Sequence, residues 1–164
     1  MMLRTSIAFD APIEKVWAIF TDPDLWLQWN TEWAEIRDVR GPFDHVGAGY
    51  TQVFRVLGYE RRGTWEVSAC EPKRWREVVG TLPLGIPFHA RDEFRDTPSG
   101  GTEVVLALAW EIPWGGVGRV VERVAVPLLQ RQLRGNASRA ARLLSRTGSV
   151  SRSATDRHRR RAEG

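Results

Sequence analysis

The sequence predicts an α+β fold in which a curved, seven-stranded antiparallel sheet wraps around a long C-terminal helix. Two short helical segments follow a first strand, and after Asn30 the hydrophobic pattern changes from a period of 3.6 residues to a period of 2. Six alternating segments then follow one another across short turns, which favours antiparallel hairpins over parallel crossovers. After Gly116 the helical period returns. One strand, two helices, six strands and one helix is the order of a helix-grip fold.

The N-terminal segment predicts the first strand and the two short helices. Residues 3–9 alternate between apolar and polar side chains, which is typical of a strand. Asp10 can cap the following helix, Pro12 suits its first turn, and apolar residues recur at helical spacing over residues 13–20. Asp22, which precedes a proline, begins the second helix. We therefore expect each helix to bury one face.

The remaining strands are separated by turn sequences rich in glycine and proline, such as Gly41-Pro42 and residues 98–101. A long helix is predicted over residues 117–145, with one apolar and one Arg-rich face. Pro127 lies within this helix and should bend it, because proline removes one backbone hydrogen bond. The predicted strands cover residues 34–40, 49–57, 62–70, 75–81, 88–96 and 102–112.

The charge distribution divides the chain into a domain over residues 1–145 and an Arg/Ser-rich tail over residues 146–164, which we expect to be disordered. The tail contains six arginines against Asp156 and Glu163, so the net charge of +4 comes from the tail and the domain is neutral. The tail could contact phosphates of nucleic acid or anionic lipid. It has no interleaved aromatic residues, and we expect no specific nucleic-acid binding.

The short apolar runs and the single cysteine indicate a cytoplasmic protein with no transmembrane segment. The longest uninterrupted apolar run, residues 104–110, has seven residues, against the roughly 18 needed to cross a bilayer. The N-terminal residues lack the apolar stretch of a secretion signal. Cys70 is the one cysteine, so an intrachain disulfide cannot form.

The histidines and short motifs give no sign of a metal centre or a cofactor, and we expect neither. His45, His89 and His158 lie far apart in the sequence, without a second ligand at metal-binding spacing. The chain has no G-x-S-x-G nucleophile motif, and its glycine clusters lack the Lys and Ser/Thr of a phosphate-binding loop.

The predicted sheet should enclose a cavity, because a long twisted sheet curls and one helix cannot fill the whole concave side. The more apolar face of each strand is expected to point inward, although a slip of one residue would exchange the faces. A solid core built from the same aromatic residues is the alternative. The expected lining residues are Trp29, Tyr50, Gln52, Phe54, Trp65, Val67, Trp75, Glu77, Phe88, Asp92, Leu106, Leu108, Trp110, Val121, Val124 and Leu128.

Three of these residues are candidates for proton transfer. If Glu77 and Asp92 face inward, apolar walls would raise the pKa of their carboxyl groups and suit them to general acid–base work, with Tyr50 as a partner. The alternative is that both carboxylates point outward as solvated strand charges.

Several segments resemble the SRPBCC superfamily, which includes birch-pollen allergens, StAR-related lipid-transfer domains and polyketide cyclase/dehydrase-like proteins. The resemblance covers roughly residues 3–145 and is greatest to the last group. It implies a helix-grip fold with a hydrophobic ligand, and leaves activity open because members include enzymes, carriers and binding proteins. The segments are Ala11-Pro12-Ile13-Glu14-Lys15-Val16-Trp17 with Asp22 and Trp29, Val46-Gly47-Ala48-Gly49, Glu66-Val67, Glu71-Pro72 and Gly100-Gly101-Thr102.

Our leading hypothesis is a protein that binds a hydrophobic small molecule, aromatic, polyketide-like or lipid, in an internal cavity. The second is a polyketide cyclase or dehydratase that uses an inward carboxylate, and the third is a non-catalytic superfamily member that acts through protein contacts. The sequence leaves open whether the chain forms a homodimer.

Overall fold

A computed structural model describes residues 2–30, 35–56, 59–111, 127 and 130–146, with side chains described for all of these except residues 54–56. The first nine α-helices and β-strands in chain order are β1 (Met2–Phe9), α1 (Ile13–Thr21), α2 (Pro23–Trp29), β2 (Glu35–Arg40), β3 (Gly49–Val56), β4 (Tyr59–Glu71), β5 (Trp75–Leu82), β6 (Ile86–Asp96) and β7 (Thr102–Trp110). A helix, α3, is described over residues 130–146, with residue 127 also helical. The earlier part of the predicted C-terminal helix and the predicted tail from residue 147 onward lie outside the described residues.

The seven strands form one antiparallel sheet in the order β1-β7-β6-β5-β4-β3-β2. Strands β2 to β7 follow one another as a meander, and β1 pairs with β7. The register brings Leu3 opposite Leu108 and Ile7 opposite Val104, so their apolar side chains share the concave face. The α+β fold with a seven-stranded antiparallel sheet, two N-terminal helices and a C-terminal helix is thus confirmed.

The two short helices begin for different reasons. The Asp22 carboxylate accepts hydrogen bonds from the backbone amides of Asp24 and Leu25, and so caps α2 as expected. The prediction that Asp10 caps α1 is wrong, because Pro12 occupies the capping position and its carbonyl accepts the first helical hydrogen bonds. Asp10 lies two residues too early to reach those amides.

An aromatic core lies where α1 and α2 meet the sheet. The rings of Trp17 and Phe94 are 4.9 Å apart, and the ring of Phe20 lies 5.5 Å from Phe94 and 5.0 Å from Trp29. Such edge-on and tilted pairs are favourable beyond their buried area. The two helices therefore close one end of the concave sheet and leave the rest to α3.

Helix α3 is attached to the end of α2 through buried polar contacts. Its buried positions Asn136, Ala140 and Leu144 recur every four residues and form one stripe. Asn136 donates a hydrogen bond of 2.7 Å to the Asn30 side chain, and Arg139 donates one of 2.9 Å to the Trp29 carbonyl. These contacts fix the distance between α3 and the sheet at this end. Within the described ranges, no helix is long and apolar enough to cross a membrane.

Candidate functional site

A cavity of about 360 Å³ lies between the concave face of the sheet, α2 and α3. Every helix and every strand except β1 and β2 contributes to its wall. The described lining residues are mostly aromatic or aliphatic: Phe20, Trp26, Trp29, Asn30, Tyr50, Trp65, Arg76, Val78, Leu82, Ile86, Phe88, Ala90, Asp92, Leu106, Leu108, Trp110 and Leu133.

Strands β6 and β7 form the floor of the cavity through alternate residues. Phe88 lies opposite Trp110, Ala90 opposite Leu108, and Asp92 opposite Leu106. Since side chains of a strand alternate between faces, each of these cross-strand pairs points to the concave side. The floor is therefore apolar along its length, with one carboxylate at one end.

A row of aromatic rings forms one side of the cavity. The rings of Trp26 and Tyr50 are 5.4 Å apart, Tyr50 stacks on Trp65 at 6.0 Å, and Trp65 meets Phe88 edge-on at 4.6 Å. Aromatic side chains present large flat apolar surfaces with little conformational freedom. This side of the cavity can stack against a flat ring system.

An ion pair supplies the charged groups of the wall. The Arg76 Nε donates a hydrogen bond of 2.8 Å to Asp92 Oδ2, and the two side chains are only 7% and 10% exposed. Arg76 and Asp92 are opposite each other in the β5–β6 register, which sets this geometry. Arg76 Nη1 also donates to the carbonyl oxygen of Phe43 at 3.2 Å. Burial is tolerated because each charge has an opposite partner and hydrogen bonds.

Tyr50 lies beside this ion pair. Desolvation raises the pKa of its phenol well above the ordinary value, the positive charge of Arg76 opposes this shift, and the negative charge of Asp92 adds to it. The phenol is therefore uncharged at neutral pH and can donate a hydrogen bond to a ligand.

Part of the hydrogen-bonding capacity of these groups is unused. Within the described ranges, Asp92 Oδ1, Arg76 Nη2 and the Tyr50 hydroxyl make no hydrogen bond to another protein group. All three residues line the cavity. The polar end of the cavity thus offers one acceptor and two donor groups to a guest molecule.

Half of the sequence-predicted lining residues lie on the wall of this cavity. They are Trp29, Tyr50, Trp65, Phe88, Asp92, Leu106, Leu108 and Trp110. Gln52 and Val67 are buried but do not line it; Gln52 is completely buried, and its amide group has no hydrogen-bond partner in the described part of the chain. Of the other predicted lining residues, the side chain of Phe54 and the residues Val121, Val124 and Leu128 lie outside what the structure describes.

The inward face of β5 differs from the predicted one, and this corrects the placement of Trp75 and Glu77. Arg76 and Val78 face the cavity. Glu77 lies on the convex face, where its Oε1 accepts a hydrogen bond of 2.5 Å from Arg91. The indole of Trp75 lies there too, 4.4 Å from the Arg91 guanidinium. Counting apolar residues favoured the wrong face because it scored Arg76 as solvated, whereas Asp92 compensates its charge.

A β-bulge in β4 changes which of its later side chains lie on the concave face of the sheet. Val67 is opposite Val78, but Ala69 is opposite Glu77, so Ser68 is the extra residue. After the bulge Cys70 takes the inward position, and its Sγ donates a hydrogen bond to the Asp44 carbonyl. Strict alternation along β4 therefore could not identify the face of its last residues.

A second, smaller cavity of about 90 Å³ lies on the far side of Trp29. It shares Phe20, Trp29, Asn30, Leu106 and Leu133 with the main cavity and is bounded by Gln132 and other residues of α3. The sequence pattern predicts neither Asn30 nor Leu133 as a site residue. Asn30 follows the last residue of α2. Its position within the cavity wall depends on tertiary packing, which the alternation of apolar and polar residues along the sequence does not encode.

Comparison with known proteins agrees with this arrangement. The model of the polyketide cyclase / dehydrase and lipid transport family matches residues 2–145. The chain belongs to this family. The resemblance to the SRPBCC superfamily inferred from the N-terminal segment and the glycine motifs is thereby confirmed.

Several solved structures have the same fold and align with most of this chain. A protein from Rhodobacter sphaeroides is 21% identical with a TM-score of 0.69, over 88% of this chain and 91% of that one. A protein from Mesorhizobium loti is 18% identical with a TM-score of 0.66, over 90% of this chain and 98% of that one. A protein of the dynemicin biosynthetic locus is 19% identical with a TM-score of 0.63, over 88% of this chain and 47% of that one. A search of curated proteins found no match.

Proposed function

We propose that this member of the polyketide cyclase / dehydrase and lipid transport family binds one hydrophobic small molecule in the 360 Å³ cavity. The observation that carries the proposal is the combination of an apolar, largely aromatic wall with one charged pair, Arg76 and Asp92, and the Tyr50 hydroxyl beside it. Small-molecule sites have this composition, because apolar walls supply affinity and a few polar groups fix orientation.

The size of the cavity favours a compact ligand. Sites for small molecules span about 300–1,000 Å³, and a volume of about 360 Å³ lies near the lower end of that range. Together with the row of rings from Trp26 to Phe88, this favours one flat ring-containing molecule over a two-chain lipid. An aromatic or polyketide-like guest fits both the size and the flat wall.

A cavity-filling substitution tests the proposal. Leu108→Trp places a larger side chain on the cavity floor, and Val79→Trp adds the same side chain at an exposed position of β5 outside the cavity. We expect Leu108→Trp to weaken binding of the neutral fluorescent probe N-phenyl-1-naphthylamine at least tenfold. Val79→Trp should bind the probe like the wild type. Equal affinity in all three proteins would contradict binding in this cavity.

A second candidate function, cyclase or dehydratase chemistry, is favoured by one observation. Asp92 is the carboxylate that faces the cavity, and its Oδ1 is unused in the described structure. It could take a proton from carbon next to a ligand carbonyl, with the uncharged Tyr50 phenol donating to the carbonyl oxygen. Glu77, on the convex face, has no part in this mechanism.

Hydrogen–deuterium exchange at C2 of α-tetralone tests this catalytic version by NMR without knowledge of the natural substrate. The wild type should accelerate exchange in D₂O, and Asp92→Asn should abolish the acceleration while the ketone still binds. The outer-face variant Glu77→Gln is the matched control and should exchange at the wild-type rate. Acceleration that persists in Asp92→Asn would remove Asp92 as the base.

A further inference from the structure

The charged groups of the cavity are balanced before any ligand binds. Among the described lining residues, Arg76 and Asp92 are the only two with formal charges, one of each sign. Their side chains are 7% and 10% exposed and joined at 2.8 Å. The positive charge is therefore already compensated by a protein carboxylate and is not left over to pair with an anionic guest.

The unused atoms of this pair have opposite hydrogen-bonding character. In the described structure, Arg76 commits its Nε to Asp92 and its Nη1 to the Phe43 carbonyl, which leaves Nη2 as a donor. Asp92 commits Oδ2 and keeps Oδ1 as an acceptor. A guest that enters the cavity displaces the water that would otherwise bind these two atoms, so a guest that fills both positions binds better than one that fills neither.

A carboxylate guest meets an unfavourable arrangement here. It has no hydrogen to donate to Asp92 Oδ1, and it brings a second negative charge next to that carboxylate inside an apolar wall. An uncharged group such as a carboxamide can donate N–H to Oδ1 and accept from Nη2 through its carbonyl oxygen. The Tyr50 hydroxyl can add a second donor to the same oxygen.

We infer that the polar end of the cavity selects an uncharged ligand group that both donates and accepts hydrogen bonds, and discriminates against carboxylates of the same size. This inference rests on the proposed function, since it concerns a ligand in that cavity. It narrows the ligand class to neutral apolar molecules with one carboxamide-like or hydroxy-carbonyl end, and excludes anions such as fatty acids as preferred guests.

Three probes with one ring system test the inference: 2-naphthamide, 2-naphthoate and 2-ethylnaphthalene. Binding can be followed through tryptophan fluorescence, because Trp65 and Trp110 line the cavity. At pH 7.5 we expect 2-naphthamide to bind at least tenfold more tightly than 2-naphthoate, with 2-ethylnaphthalene in between. The naphthoate affinity should rise about tenfold for each pH unit lowered, in step with its uncharged fraction, while the naphthamide affinity stays constant.

Asp92→Asn should reverse the order of the two polar probes. Without the carboxylate, the Arg76 charge is uncompensated and attracts an anion, so naphthoate should gain at least tenfold and become independent of pH. Glu66→Gln is the matched control, because it removes one carboxylate from an exposed pair, Arg40–Glu66, with a similar distance of 2.9 Å. It should leave the order of the probes unchanged.

The outcomes separate this inference from the proposed function. Naphthoate binding as tightly as naphthamide to the wild type, or with no dependence on pH, would overturn the inference and leave cavity binding standing. Failure of all three probes to bind would overturn both. If Asp92→Asn gives no cooperative melting transition, the order of the probes and the pH series on the wild type still decide the question.

Discussion

The buried ion pair makes a prediction about stability that one single and one double substitution can measure. Replacing Arg76 by Met leaves the Asp92 carboxylate without its cation at a site where the two side chains are 7% and 10% exposed. Two unit charges about 4 Å apart attract by about 4 kcal/mol at an effective dielectric constant of about 20. Removal of one member of a buried pair typically costs about 3–5 kcal/mol.

We therefore expect Arg76→Met to lower the free energy of unfolding by about 3–5 kcal/mol. That is a large part of the roughly 5–15 kcal/mol of a typical domain. Urea unfolding followed by tryptophan fluorescence gives the value, provided that the transition is two-state. Adding Asp92→Leu in the same chain should recover at least half of the loss, because no uncompensated charge then remains in the interior.

The matched control is Arg95→Met on β6, the strand that carries Asp92. Arg95 pairs with Glu93 at 2.7 Å, but its side chain is 55% exposed, so the loss should stay within about 0.5 kcal/mol. A loss below about 1 kcal/mol for Arg76→Met, or a double variant no more stable than the single one, would refute the view that this pair is buried and mutually compensating.

Two further predictions concern neighbouring groups. Because the pKa of Tyr50 is raised, its phenol should stay protonated at pH 11, and Tyr50→Phe should leave the absorbance change at 295 nm between pH 8 and pH 11 unaltered. A raised folded-state pKa also means that the wild type loses stability relative to Tyr50→Phe once pH exceeds the unfolded value of about 10; equal stability of the two proteins from pH 9 to pH 11.5 would contradict this. Asn136→Ala removes the hydrogen bond to Asn30 and the one from Arg139, and should cost about 1–3 kcal/mol by urea unfolding because the Asn30 side chain stays buried without its donor. Ser138→Ala, an exposed position on the same helix, is its control, and similar losses in both variants would count against the buried contacts.

Strand positions were predictable because turn chemistry is local. The sequence predicts the fifth and sixth strands over residues 75–81 and 88–96, and the structure has Trp75–Leu82 and Ile86–Asp96. Glycine and proline restrict the backbone within a few residues, so their effect does not depend on the rest of the fold. The order of elements, and with it the fold class, followed from the glycine and proline residues in the turns.

Which face of a strand turns inward was predictable only where apolar side chains dominate one face. Leu106, Leu108 and Trp110 on β7 leave little choice, and the structure places all three on the cavity wall. On β5 the decisive residue was Arg76, whose burial depends on Asp92 on the next strand. A score that treats each strand separately cannot represent compensation between two strands, and so it missed Arg76, the cationic partner of Asp92 at the polar end of the candidate site.

The cap of the first helix shows a similar limit at shorter range. Asp10 and Pro12 both have the residue types that precede helices, but only one residue can stand immediately before the first helical turn. The backbone of Pro12 took that place, with φ −65° and ψ 154°. Residue type indicates that a helix begins nearby, whereas the exact position of its first residue depends on where β1 ends relative to the core.

The pairing of β1 with β7 also determines when this protein can complete its fold during synthesis. Among the described strands, β7 is the only neighbour of β1 in the sheet, and Phe9 aligns with Thr102, whose hydroxyl donates a hydrogen bond to the Ala11 carbonyl across 91 residues of sequence. Until residues 102–110 leave the ribosome, Leu3, Ile7 and Phe9 have no strand to pair with. Contacts of such long sequence separation slow folding, so a nascent chain that stops before β7 should remain open and prone to aggregate.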